Sequence, residues 1–583
     1  MPSARLARAH DPDCKASLPD PMTTRTLSVR APFPRELAPI ALALALALAG
    51  GACVGGRSAS SFPPGASSGG PPRRGGHVVF VREEDPDYID PALSYGTFSA
   101  PCTEAVFHTL LDYANESGPA GARLVPDLAE SLPELRDGGT LYCFRVRASA
   151  RFGAPLHRHI TAADFKYAIE RLFRVNSPGV NFYRHIVGAD RVLAGKGSDL
   201  PGVIARGDSL YVRITSPDPV FLQILSMTFT APIAREVEQR FPHAMSQHAV
   251  ATGPFQVAEF TPRRRLLLVR NPDYWGMPAW LDTFEMRLGV TSSNAVALIR
   301  RGLADGGSFE VPPADFSRLK RDPFWSHQVG IADGLNTEYL FMNVRMKPFN
   351  DVRVRQAVAW ALDRRAVLKV YAGKAAVAGE FTPLGMPGVV PLGRYAGPDV
   401  ARARRLLREA GYPNGFSTKM FGWTTEPGPR ELGVIQQQLA EVGIRAELEL
   451  SEAISYTSMA ADTSRHVPFG IYSWTADYVD PSNFFDTLLN GHRITPLNNN
   501  NLSLFDDPHV NELIERAMVT ADDSTRVRLW QRVDREVMDL VPVVPLIHIY
   551  ESRLFGPRLG GWYRHITRIL KLESLYVKSA PPA

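Results

Sequence analysis

Ser473-Trp474-Thr475-Ala476-Asp477-Tyr478-Val479-Asp480-Pro481 sets one carboxylate, Asp477, between two large aromatics, Trp474 and Tyr478. A short apolar run with Phe469, Ile471 and Tyr472 precedes it, and an Asp-Pro pair closes it. Such a segment reads as a strand running into a turn. Aromatic walls around a single acid make a pocket for a ligand with a positive charge and some apolar bulk. The competing reading is an ordinary strand end, with both aromatics in the core and Asp477 satisfying the turn. These nine residues do not separate the two.

Downstream, Asp507-Pro508 opens a helix whose Val510, Leu513, Ile514, Ala517 and Met518 fall on one face. A longer helix is expected over 524–540, then an apolar strand over 541–550. Upstream, a helix at 430–442 leads into a strand at 446–450. Asp399 opens a helix stopped by Gly411 and Pro413. Asn350 or Asp351 caps another, with Val354, Ala357, Val358, Ala361 and Leu362 inward. Strands are expected at 77–82, 140–146, 210–214, 266–269 and 337–344, and a short helix at 103–111. Thr161 and Asp164 form a capping box ahead of Phe165, Ala168, Ile169, Leu172 and Phe173 at helical spacing. Strands and helices alternate throughout, which defines an α/β or mixed class.

The chain of 583 residues is 45% hydrophobic, enough for two or more cored domains. Its 65 basic and 60 acidic residues leave a net charge of +5, without the basic stripe of a nucleic-acid binder. Arg25, Arg30 and Arg35 precede an apolar run from Leu37 to Ala49, which ends in Gly50-Gly51-Ala52-Cys53. Basic region, short apolar core and small residues make a secretory signal over 1–53, with Met1 or Met22 as its start. The run is shorter than the roughly 20 residues that span a bilayer. Residues 54–76, rich in Gly, Ser and Pro, read as a flexible tether reaching on the order of 25 Å. An oxidising compartment permits a disulfide between Cys102 and Cys143, two buried thiols being the alternative. His157 and His159 lack a third ligand nearby and read as solvated loop residues. No Walker loop, H-E-x-x-H or C-x-x-C occurs.

Several blocks, in order, resemble one family. Leu124-Val125-Pro126-Asp127-Leu128-Ala129 with residues 140–153 and 160–172 looks like its early block, although His157-Arg158-His159 replaces the acid and glycine that usually follow its Phe. Residues 251–255 (ATGPF) and 270–276 (RNPDYWG) resemble a second block, 349–357 with 361–364 a third, and SWTADYVDPSNFF a fourth. Together they resemble the solute-binding proteins of bacterial ABC importers for dipeptides, oligopeptides and nickel. Cys53 is similar to the lipidated cysteine of bacterial lipoproteins, though Gly50 stands where their box has leucine.

The resemblance implies a two-lobed periplasmic-binding-protein fold of the large class, joined by two crossover strands near 338–341 and 543–547. Lobe I would take 77–116, 251–336 and 543–583, an inserted domain 117–250, and lobe II 337–542. It implies that Asp477 pairs with a peptide's free amino terminus, with Trp474 and Tyr478 as walls. Tyr95, Trp423 and Asn501 are further candidate contacts. It also implies an exported, lipid-anchored monomer that hands peptides to a membrane permease. Neither chemistry on the cargo nor a cofactor is expected. The rivals are another cargo (a nickel chelate, haem, oligosaccharide or opine-like solute) or a peptide sensor without transport.

Overall fold

The computed structural model describes residues 71–96, 99–563, 565–567 and 570–579, all within the compact unit Ser61–Ala583. The secretory segment, Cys53 and most of the tether lie outside the described residues. The end of the expected tether does not behave as one. Pro72–Arg73 pairs antiparallel with Tyr576–Lys578, and the Gly75 amide donates to the Trp280 carbonyl at 2.7 Å. Backbone pairing partners, rather than composition, decide that residues 72–75 belong to the fold.

Three sheets carry the fold. The first runs in the order Gly306–Gly307, His77–Val81, Thr283–Arg287, Arg265–Arg270, Phe255–Thr261. Its strand His77–Val81 is buried on both faces: Val78 and Phe80 enter one apolar cluster, Val79 and Val81 another. That is the two-residue period of a strand covered on both sides. A four-stranded antiparallel sheet holds Glu134–Arg136, Leu141–Arg145, Ser209–Arg213 and Val203–Arg206. The helix Ala162–Arg174 packs on it and starts with both halves of the capping box in place.

The large sheet runs Val329–Asp333, Val543–Leu554, Asn336–Met342, Phe469–Thr475, Phe416–Trp423, Ile444–Ser451. Val543–Leu554 is long enough to serve three neighbours, Ala375–Val377 among them. Its first half pairs with Asn336–Met342 and its second half with Val329–Asp333. Phe555 then bridges to Gly306 of the five-stranded sheet. Helices cover this sheet, several begun by the predicted acids: Asp351, Asp399 and Asp507 each accept amide hydrogens of the first turn.

Two expectations are corrected. The helix expected over 103–111 ends at Val106, and Leu111–Tyr113 is a strand paired with Leu124–Pro126. No disulfide joins Cys102 to Cys143. Cys102 sits in the helix Ala100–Val106, buried among Val78, Phe80 and Val106, whereas Cys143 belongs to the four-stranded sheet. Each is committed to a different packing unit, and burial pushes the Cys102 thiol up to about 12. His157 and His159 are engaged as well, with Asp273 at 2.8 Å and Asp208 at 3.0 Å.

Candidate functional site

The strand Phe469–Thr475 lies between Asn336–Met342 and Phe416–Trp423, with Thr475 opposite Asn336. Beyond it the Ala476 amide still donates to Leu335 O at 2.8 Å, which ties the first turn residue to the sheet. Asp480 then accepts from the Ser482 amide at 2.9 Å, and the helix Ser482–Leu489 begins. Strand and helix thus clamp residues 476–481 at both ends.

Within that clamp Asp477 is held by one asparagine. Asn483 is fully buried; its Nδ2 donates to Asp477 Oδ2 at 3.0 Å, and its Oδ1 accepts from the Asp477 amide at 3.1 Å. The same Oδ1 accepts from Trp474 Nε1 at 2.8 Å. From a distant segment the Tyr95 hydroxyl donates to Asp477 Oδ2 at 3.1 Å. Both side-chain bonds fall on one oxygen. Burial pushes the Asp477 carboxyl up to about 6, although the bonds from Asn483 and Tyr95 favour its charged form. Tyr95 is raised well above the usual phenol, by burial first and then by Asp477.

Asp477 and Tyr95 line a cavity of about 150 Å³, room for on the order of ten waters. Its walls come from widely separated segments: Ser94 and Thr103, Met227 and Phe229, Thr475 and Ala476, and Glu551 with Arg553. Tyr95 packs against Phe229 with ring centroids 5.5 Å apart.

The other candidates lie elsewhere. Trp474 is 7% exposed and reaches Asp477 only through Asn483. Tyr478 is buried, its hydroxyl 3.2 Å from Ser482 Oγ and its ring edge-on to Phe182. The walls beside the acid are therefore Tyr95 and Phe229, because Trp474 and Tyr478 turn into packed core. Trp423 packs on Tyr456 at 6.0 Å. Asn501 organises its own loop, donating to Phe505 O at 2.8 Å and accepting from the Phe505 amide at 3.1 Å. Neither lines the cavity.

Asn483, Glu551 and Arg553 were not singled out from the sequence. Asn483 follows the Asp-Pro break by two residues, where a first-turn side chain points back over the turn. Glu551-Ser552-Arg553 was visible as a charged pair closing the apolar run 541–550. Asp480, read as a turn former, is also buried against the Arg526 guanidinium, whose Nη2 lies 2.7 Å from Asp480 Oδ1. That leaves Asp477 as the carboxylate of the stretch that faces the cavity.

A mixed α/β fold with an acid-bearing cavity walled by widely separated segments fits a class of solute receptor. The family model described as "Bacterial extracellular solute-binding proteins, family 5 Middle" matches residues 123–495, and the chain belongs to that family. It is 26% identical over 502 residues to the Heme-binding protein A of Haemophilus influenzae, covering 83% of this chain and 89% of that protein. It is equally 26% identical over 501 residues to the Dipeptide-binding protein of Escherichia coli, covering 82% and 90%. Its fold matches the DppA periplasmic binding protein from Helicobacter pylori in complex with the peptide STSA, with TM-score 0.77 and 24% identity over 87% of this chain and 99% of that one.

Proposed function

We propose that this protein is an extracytoplasmic receptor that captures short peptides and delivers them to the permease of an ABC importer. The observation that carries the reading is Asp477: a carboxyl fixed by Asn483 and Tyr95, desolvated, and lining the cavity. A charge-assisted bond from an α-ammonium is strong there. The dipeptide-binding relative and the peptide-bound structure support this cargo. Residues 77–116, 251–336 and 543–583 would form one lobe, 117–250 an inserted domain and 337–542 the second lobe. Ligand touching both sides selects the closed state that the permease reads. The peptide leaves unchanged. Cys53 would carry a lipid anchor, and the receptor would work as a monomer.

Calorimetry on the exported protein tests the site. Asp477→Ala should cost about 2–5 kcal/mol of peptide affinity, the scale for stripping one partner from a buried charged pair. N-acetylated peptides should lose a comparable amount. Unchanged affinity in either arm would remove Asp477 as the amine anchor. The similarity to a haem-binding relative favours a porphyrin as the second reading. Native mass spectrometry of the purified protein separates the two by the mass of the co-purified ligand.

A further inference from the structure

The cavity has a second charged end. Glu551 and Arg553 alternate along Val543–Leu554, so both side chains leave the same face of the strand and line the cavity with Asp477. Arg553 is the cationic side chain among the described lining residues, and its charge is already engaged. Its Nη1 pairs with Glu310 Oε1 and donates to Phe309 O at 3.3 Å. Glu310 is fixed in turn by the Ser552 amide and hydroxyl, each 3.0 Å from Oε2. Among the described residues, Glu551 makes a long contact with the guanidinium, 3.5 Å from Oε2 to Nη2. Burial pushes its carboxyl up to about 6, with Arg553 pulling down and Glu310 adding to the rise. Asp477 and Glu551 are thus two desolvated carboxyls lining one cavity. Met227, Phe229 and Leu570 supply apolar wall for the stem of a long side chain.

We propose that this receptor selects peptides carrying a second positive charge, with Glu551 receiving a lysine or arginine side chain while Asp477 holds the α-ammonium. The proposal rests on the peptide reading of Asp477. A cation beside Glu551 gives that acid a partner that Arg553, bound to Glu310, supplies only in part. A single-charged peptide would leave Glu551 with the long 3.5 Å contact to Arg553 as its compensation.

The test is calorimetry at pH 7.5 with Lys-Ala-Ala, Ala-Lys-Ala and Ala-Ala-Lys, against the same three peptides with norleucine for lysine, and Ala-Glu-Ala. At least one lysine peptide should bind about tenfold or more tighter than its norleucine partner. Glu551→Gln, with folding checked by circular dichroism, should collapse that ratio to within about twofold, whatever it does to overall affinity. Equal affinities of lysine and norleucine peptides, a ratio that survives Glu551→Gln, or preference for Ala-Glu-Ala would each overturn the proposal. If norleucine peptides bind and depend on Asp477, only the second charge is lost. If no free-amine peptide binds, the amine anchor fails with it.

Discussion

Asp477 and Asp480 stand three residues apart and are treated in opposite ways. Asp480 is buried against Arg526, so its charge is compensated inside the protein. Asp477 has neutral donors only, a tyrosine and an asparagine, and burial keeps its carboxyl up at about 6. The empty cleft therefore binds a proton more readily than the unfolded chain does. Above the ordinary carboxylate range and up to about pH 6, Asp477 costs the empty protein stability as pH rises. An ammonium ligand needs the ionised form, so acid competes with ligand. Peptide affinity should fall about tenfold between pH 7 and pH 5. Below pH 6, titrations in buffers of different ionisation heat should show net proton release on binding. A flat profile would mean that Asp477 does not meet the ligand's charge.

At the scale of elements, the strand Asn336–Met342 carries a second buried acid. Glu338 and Glu431, both within 2% of fully buried, meet the single hydroxyl of Tyr371 at 2.5 and 2.7 Å. One hydroxyl hydrogen cannot serve both carboxyls, so a carboxyl proton completes the cluster. Burial drives both acids upward, Glu431 most, with Glu338 adding to the rise at Glu431. Above the usual carboxylate range the unfolded chain releases a proton that the folded cluster keeps. Stability is lost as pH rises toward the folded value. Glu431→Gln keeps the shape and removes the proton. Its melting temperature should overtake that of the parent by about 2 °C or more at pH 8, with a smaller difference at pH 5. A variant that melts lower at every pH would show that the charge stabilises this strand.

Segments far apart in the chain are joined both beside Asp477 and farther from it. The Val479 amide donates to Gln223 Oε1 at 2.9 Å, and Tyr113 holds the same oxygen at 3.1 Å. Farther out, Arg493 Nη2 lies 3.3 Å from His185 Nε2, which accepts only while unprotonated. Arg493 is also paired with Asp486 at 3.0 Å and lines a separate small cavity of about 50 Å³. Arg493→Ala removes the contact to His185 without touching the cavity that holds Asp477. It should lower peptide affinity about tenfold, a coupling within the usual allosteric range, and enlarge the unliganded protein in small-angle scattering. Unaltered affinity and dimensions would show that His185 and Arg493 do not hold the cleft closed.

Periodicity and capping chemistry were legible residue by residue. Thr161 with Asp164, Asp351, Asp399 and Asp507 cap the helices they were read to cap, because a cap is decided within four residues. Strands with short β-rich runs, such as His77–Val81 and Asn336–Met342, were legible for the same reason. Asp477 could be singled out as a carboxylate between aromatics on a strand end. Its partners could not: Tyr95 is 382 positions away, and Glu551 meets the same cavity from another strand. Which aromatics wall the acid was likewise decided by packing, since Trp474 and Tyr478 find buried hydroxyl and amide partners and turn from the cavity. The order of residues determined the local elements and the acid itself. Only tertiary structure decided what surrounds that acid, because desolvation and ion pairing are set by segments the chain brings together on folding.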